Sequence, residues 1–416
     1  MVPIYYIYNL VSLYESGGKK QGVESHPPSD EEAVENWSTA SILSEDPSLD
    51  SVTEEGADGG PDETTAQENF EDKLKECIEG VLQKSAQGRK VAIDGICKAL
   101  SKKYVYEFLL DRKLTLSDGL LRSLKRGKGD EQMLAARCLS LLCIQLGPEA
   151  EDLFDDIKSQ LLVVATDSSA ALRARAECAI AVAICNFVAC SDIDVVTKVL
   201  DALENVFRAS YRKGDKSIPS HTPDTCKLHA SALTGWNLLL SIAPSFLVMK
   251  RVESHIARMP DLLHSADVDL RITAGETLAL MYELAREEVE RYRGPDIYGL
   301  CETLKNLATD SQKHRAKKDR KQQRASFRDV LRAIEEGDCP ELSIRFGEES
   351  FYVDSWTRKH QYDAFCCALG SGIYQHLQDN MVIREVFDLG PPRIDRGNKK
   401  SNKATKLERV SSGKVH

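Results

Sequence analysis

Between Phe70 and Ala308 apolar residues recur every three or four positions, the period of a helix with one buried face. The run 178–190 is apolar on almost every side. Its thirteen residues predict a helix enclosed by other helices, since a membrane span needs about 20. Small residues inside these stretches are spaced regularly. Aligning Ala92, Ala136, Ala176, Ala232 and Ala274 brings similar segments into register, among them Gln132-Met-Leu-Ala-Ala-Arg, Leu172-Arg-Ala-Arg-Ala-Glu and Arg271-Ile-Thr-Ala-Gly-Glu. The intervals are 44, 40, 56 and 42 residues, and the long one contains a polar loop at 212–224 with Pro219 and Pro223.

Repeats of about 40–47 residues built from helix pairs are the signature of HEAT and armadillo stacks, in which each pair buries its apolar face against the next. The aligned alanines fit, because a small side chain lets two helices approach where Leu would hold them apart. Arg173 and Arg271 occupy matching places three residues earlier, each after an Asp-bearing turn at Asp167 and Asp267. Those turns predict N-caps, with the arginines bonding between repeats. The fold expected is all-α: a HEAT/armadillo-like superhelix with a small α+β C-terminal portion.

Past Asp310 the pattern changes. Eight Lys or Arg fall between Lys313 and Arg328 against Asp319, leading into a helix from Ser326 to Glu336. The stretches Glu341-Leu-Ser-Ile-Arg-Phe and Ser350-Phe-Tyr-Val alternate with period two around Gly347, which predicts a β-hairpin. Two or three helices follow, ended by Gly390-Pro-Pro. Four segments result: an acidic arm at 1–69 expected to be disordered, helical repeats at 70–310, a C-terminal domain at 311–392 and a basic tail at 393–416 also expected to be disordered.

Charge sharpens this division. Residues 23–69 hold fourteen Asp or Glu and no Lys or Arg, more than the whole formal charge of −10, so the remainder is mildly basic. A polyanionic partner is therefore compatible with an acidic chain. The twelve cysteines sit singly in apolar stretches and read as reduced core residues, and no C-x-x-C pair suggests zinc. No nucleotide-binding loop, nucleophile elbow, metalloprotease or kinase motif occurs, so neither catalysis, a cofactor nor a small-molecule substrate is expected. His229, His255 and His264 read as structural. No membrane association is expected.

The longest distinctive stretches are Leu307-Ala-Thr-Asp-Ser-Gln-Lys-His-Arg-Ala-Lys-Lys-Asp-Arg-Lys-Gln-Gln-Arg, Leu369-Gly-Ser-Gly with His376-Leu-Gln, Arg384-Glu-Val-Phe-Asp-Leu-Gly-Pro, and Asp111-Arg-Lys-Leu-Thr-Leu-Ser-Asp. In these the chain resembles the interferon-related developmental regulator family, from about Glu68 to Pro392. The resemblance implies an armadillo-like fold, a non-catalytic role in transcriptional co-regulation with histone-deacetylase corepressor complexes, and binding to idle ribosomes. The family usually continues past Leu389-Gly-Pro into a long basic segment, where this chain carries a short one.

Two functions compete on this reading. In the first the protein docks on ribosomal RNA to regulate translation, with Lys313, Arg315, Lys317, Lys318, Arg320, Lys321, Arg324, Lys399, Lys400 and Lys403 on phosphates. Seven of these cations fall within twelve residues and are expected to spread around much of a helix. The second is a chromatin scaffold that binds protein through the concave face of the stack without touching RNA. Residence in both cytoplasm and nucleus is expected.

Overall fold

The structure, a computed structural model, describes residues 63–309 and 317–393. Within them the chain forms sixteen α-helices and one β-hairpin. Helices α1 (Glu63–Gly80) and α2 (Ala86–Lys102) make the first antiparallel pair, and the short α3 (Tyr106–Leu110) leads to the second. That pair is α4 (Lys113–Arg126) with α5 (Asp130–Leu146), followed by α6 (Glu151–Thr166) with α7 (Leu172–Ala189). Next come α8 (Ile193–Phe207) with α9 (Pro223–Leu240), and α10 (Ser245–His255) with α11 (Val268–Glu288). The second helices pack in succession, α2 on α5, α5 on α7, α7 on α9 and α9 on α11, with each first helix behind its own partner. Helix α1 begins at Glu63, inside the segment assigned to the acidic arm.

All five aligned alanines lie on second helices, and all five are buried. Ala92 faces Gly80 of α1, where an added Cβ would stand 2.8 Å from it, so close approach within the first pair depends on both small residues. Polar rungs cross between consecutive second helices at one-repeat intervals: Arg89 to Glu131 at 2.6 Å, Arg137 to Glu177 at 2.9 Å, and Asn237 to Thr277 at 2.9 Å. Turn chemistry sets the helix starts. Thr222 accepts from the Thr225 amide with Pro223 in the first turn of α9, and Asp267 accepts from the Leu270 amide of α11.

The parallel between Arg173 and Arg271 fails. Arg271 is buried and donates to the carbonyls of Ser265 and Ala266, whereas Arg173 is exposed. On α7 it is Arg175 that reaches back to the Ala165 carbonyl, at 3.1 Å. Asp167 likewise does not cap α7, accepting instead from Ser169 within its own turn.

The stack continues past the boundary placed at 310. Helix α12 (Ile297–Thr309) pairs with α13 (Lys317–Glu336), and α13 packs on α11 as a sixth second helix. The predicted helix from Ser326 therefore starts nine residues earlier. The hairpin forms where alternation placed it, with β1 (Leu342–Phe346) antiparallel to β2 (Glu349–Val353) in the register Ile344↔Phe351. Ile344, Phe346, Phe351 and Val353 point inward.

Helices α14 (Trp356–Leu369), α15 (Ile373–Asp379) and α16 (Met381–Val386) then run back along the second helices. Their order along the stack is fixed by hydrogen bonds. His360 Nε2 donates to the Glu276 carbonyl on α11 at 3.1 Å, and Gln361 donates to Ser241 after α9 at 3.1 Å. His376 Nε2 donates to the Leu100 carbonyl on α2 at 3.0 Å, and Asn380 donates to the Ile144 carbonyl on α5 at 3.1 Å. Gly147, which ends α5 at φ +62°, is required twice over, since a Cβ there would also lie 2.5 Å from Val382 of α16. The second-helix layer is thus covered by the chain's own C-terminal segment. All twelve cysteines carry free thiols.

Candidate nucleic-acid interface

The basic run enters the described structure at Lys317 and Lys318, the first residues of α13. From there the helix is divided lengthwise. Gln323, Phe327, Val330, Ala333 and Ile334 form a buried stripe against α11 and α12. Phe327 is accommodated by Gly275 of α11, where a Cβ would stand 2.7 Å from the ring. Arg271 donates to the Gln323 side chain at 2.6 Å, and Gln323 donates to the Leu307 carbonyl of α12 at 3.4 Å. At the other end Arg286 donates to the carbonyls of Ala333 and Ile334, and the second of these is a group the helix terminus leaves open.

The cations occupy the opposite side. Lys321 and Arg328 are exposed, while Arg320 and Arg324 are half-buried at the margin. Spacings of three and four residues place Lys321, Arg324, Arg328 and Arg332 on one stripe. Of the seven cations expected to spread around the circumference, Arg320, Lys321 and Arg324 have described side chains, and these stand outside the apolar stripe, which claims the other half of the helix; the other four lie outside the described side chains. Arg332 spends its charge on Asp329 at 3.0 Å, and Lys305 of α12 pairs with Glu335 at 2.6 Å. Neither Arg324 nor Arg328 forms an ion pair with a described residue. A line of guanidinium and ammonium groups on a rigid helix suits a polyanion, which attracts cations by charge and needs no cleft.

Lys313, Arg315, Lys399, Lys400 and Lys403 lie outside the described residues. Arg328 belongs to the exposed stripe although it was absent from the candidate set. Its signal was available as the next step of the Lys321–Arg324 spacing.

His229 and His255 are engaged in the core. His229 Nδ1 lies 2.6 Å from Ser210 Oγ, and burial, followed by His221 and Arg175, lowers its pKa to about 4. Both residues are buried, so this serine–histidine contact has no open approach for a substrate. His255 bonds Tyr211 at 2.8 Å and sits 3.1 Å from Glu204, which also accepts from Trp236 and Arg251. His264 is exposed.

The sequence profile described as interferon-related developmental regulator matches residues 36–335, ending in the last turn of α13. The chain belongs to the interferon-related developmental regulator family. It is 45% identical over 402 residues to human interferon-related developmental regulator 1, covering 95% of this chain and 87% of that protein. Mouse interferon-related developmental regulator 2 is 42% identical over 374 residues, with 89% and 85% covered. An uncharacterised fission yeast protein, from Schizosaccharomyces pombe, is 23% identical over 394 residues, with 88% and 84% covered. Among solved structures, a designed armadillo repeat protein superposes with a TM-score of 0.41 at 11% identity, covering 63% of this chain and 100% of that one. The armadillo-like character of this family member rests on its own stacked pairs.

Proposed function

We propose that this family member is a non-catalytic regulator that docks on ribosomal RNA through the outward face of α13, acting on translation. The observation that supports it is the division of that helix, whose buried stripe leaves Lys321 and Arg328 exposed, with Arg324 half-buried between them, on the opposite side. Fixed cations lose little freedom on meeting phosphates, and the basic residues at 313–318 and 399–403 extend the same charge. Transcriptional co-regulation, with residence in nucleus and cytoplasm, belongs to the same proposal through the family resemblance.

The scaffold reading needs a free layer of second helices, and α14–α16 occupy much of it. A corepressor protein would therefore meet the outer helices or the ends of the stack. Co-sedimentation with purified ribosomes separates the two readings. Lys321→Gln, Arg324→Gln and Arg328→Gln together should abolish it while helicity stays unchanged. Full co-sedimentation of the triple variant, with loss only of nuclear accumulation in cells, would make the basic face an import signal and favour the scaffold.

A further inference from the structure

A cleft of about 630 Å³ opens at the N-terminal end of the stack, between α1, α3, the end of α5 and α16. Its apolar surface comes from Tyr104, Tyr106 and Met381, with the two tyrosine rings stacked at 6.2 Å and Met381 half exposed. Carboxylates rim it from four separate elements: Glu71, Glu107, Glu149 and Glu385. The cations nearby are turned to other partners. Lys103 Nζ lies 4.4 Å over the Phe70 ring and 3.5 Å from Gln67, and Lys113 donates to the Glu149 carbonyl rather than its carboxylate. Glu107, Glu149 and Glu385 form no ion pair with a described residue. The tyrosines register the local potential: burial first, then Tyr106 and Glu107, push Tyr104 up to about 12, and Tyr106 is raised by burial, Glu149 and Glu107.

We infer that this cleft is the docking groove for the chain's own basic tail, residues 394–416. The tail carries seven Lys or Arg against Asp395 and Glu408, and Leu407, Val410 and Val415 supply apolar side chains for the tyrosine surface. It also begins beside the groove. Arg384 of α16, next in sequence to the groove residue Glu385, donates to the carbonyls of Leu389, Gly390 and Pro391, holding the chain against α16. Arg393 then lies 3.5 Å from Glu349, itself the partner of Arg384. A helix is about 10–12 Å thick, so about four extended residues at ~3.3 Å each carry the chain around it and bring Lys399 and Lys400 to the rim. Tethering at that distance gives an effective concentration on the order of millimolar, so modest contacts suffice. In one respect the inference rests on the proposed function: Lys399, Lys400 and Lys403 are assigned there to RNA, so groove and RNA compete for one tail.

The test places a photo-crosslinker on the full chain as Met381→p-benzoylphenylalanine and maps products by mass spectrometry, alone and with ribosomal RNA added. Crosslinks to 394–416 are expected, lost with Glu107→Gln, Glu149→Gln and Glu385→Gln together and suppressed by RNA. Mixing isotopically heavy and light chains identifies a second copy as occupant, which would overturn the inference, as would crosslinks confined to the acidic segment 23–62 or unchanged in the triple variant. Failure of the two ideas is separable. Tail crosslinks in a chain that binds no RNA retain the groove and sink the RNA reading, whereas RNA binding without tail crosslinks does the reverse.

Discussion

Replacing Gly275 by Ala should destabilise the docking of α13, and should stop doing so once Phe327 is removed. The added Cβ would lie 2.7 Å from Phe327 Cε1 in a fully buried contact, so either the ring or α11 must shift. Overpacking of this kind costs about 1–3 kcal/mol, offset by about 0.5–1 kcal/mol because Ala is the better helix former. Phe327→Ala alone should cost about 3–5 kcal/mol through lost burial and the cavity it leaves. In that cavity the added methyl group meets no ring, so Gly275→Ala becomes neutral or stabilising, and the two substitutions couple by about 1–3 kcal/mol. Amide hydrogen exchange across 321–336 reads the local opening of α13 directly. Equal cost of Gly275→Ala in both backgrounds would show that α13 does not pack on α11 and would remove the basis for its one-sided charge.

Ala176→Leu or Ala274→Leu should cost about 1–3 kcal/mol by overpacking a buried site, while Ala325→Leu on the exposed side of α13 is tolerated; equal thermal unfolding of all three would undo the repeat assignment. His376 is neutral when folded down to about pH 4, mainly through burial, against an ordinary value of 6.5. The unfolded chain therefore binds the extra proton, and stability falls as pH drops from about 6.5 to 4 by on the order of 3 kcal/mol. Burial raises the carboxyls of Glu276 and Glu283, which work in the opposite sense, so melting of the wild type is compared with His376→Gln. Parallel pH profiles for the two would refute the assignment. Deleting 23–62, which spares α1, should leave the fold intact and raise affinity for polyanions, because the segment competes for basic surface; unchanged RNA affinity would argue against that screening.

The stacked pairs were legible because a buried alanine recurs with the repeat within helix-period apolar stretches, and each of these signals is local; the recurring Asp turn was not one of them, since Asp267 caps its helix and Asp167 does not. The sixth pair was missed for the opposite reason. Lysine and arginine fill the first turns of α13, and its buried stripe opens on a polar residue, Gln323, whose place in the core depends on Arg271 from 52 residues away. The hairpin was legible from alternation, but the return of α14–α16 over the second helices was not. That path is set by long-range bonds such as His376 to Leu100 and Asn380 to Ile144, for which no local pattern exists. Of the candidate interface, the sequence shows the clustering of charge. The face it occupies became visible only with the buried stripe that excludes it from the other side.

The salt dependence of binding to ribosomal RNA tests the central claim most directly. With about four phosphates neutralised, the log of affinity should fall with the log of salt at a slope of roughly −3 to −4. In the Lys321→Gln, Arg324→Gln, Arg328→Gln chain the slope should shrink by about 2, and affinity should drop on every RNA sequence alike. An identical slope in the wild type and the triple variant would place the phosphate contacts elsewhere and contradict the assignment of α13 as the docking face.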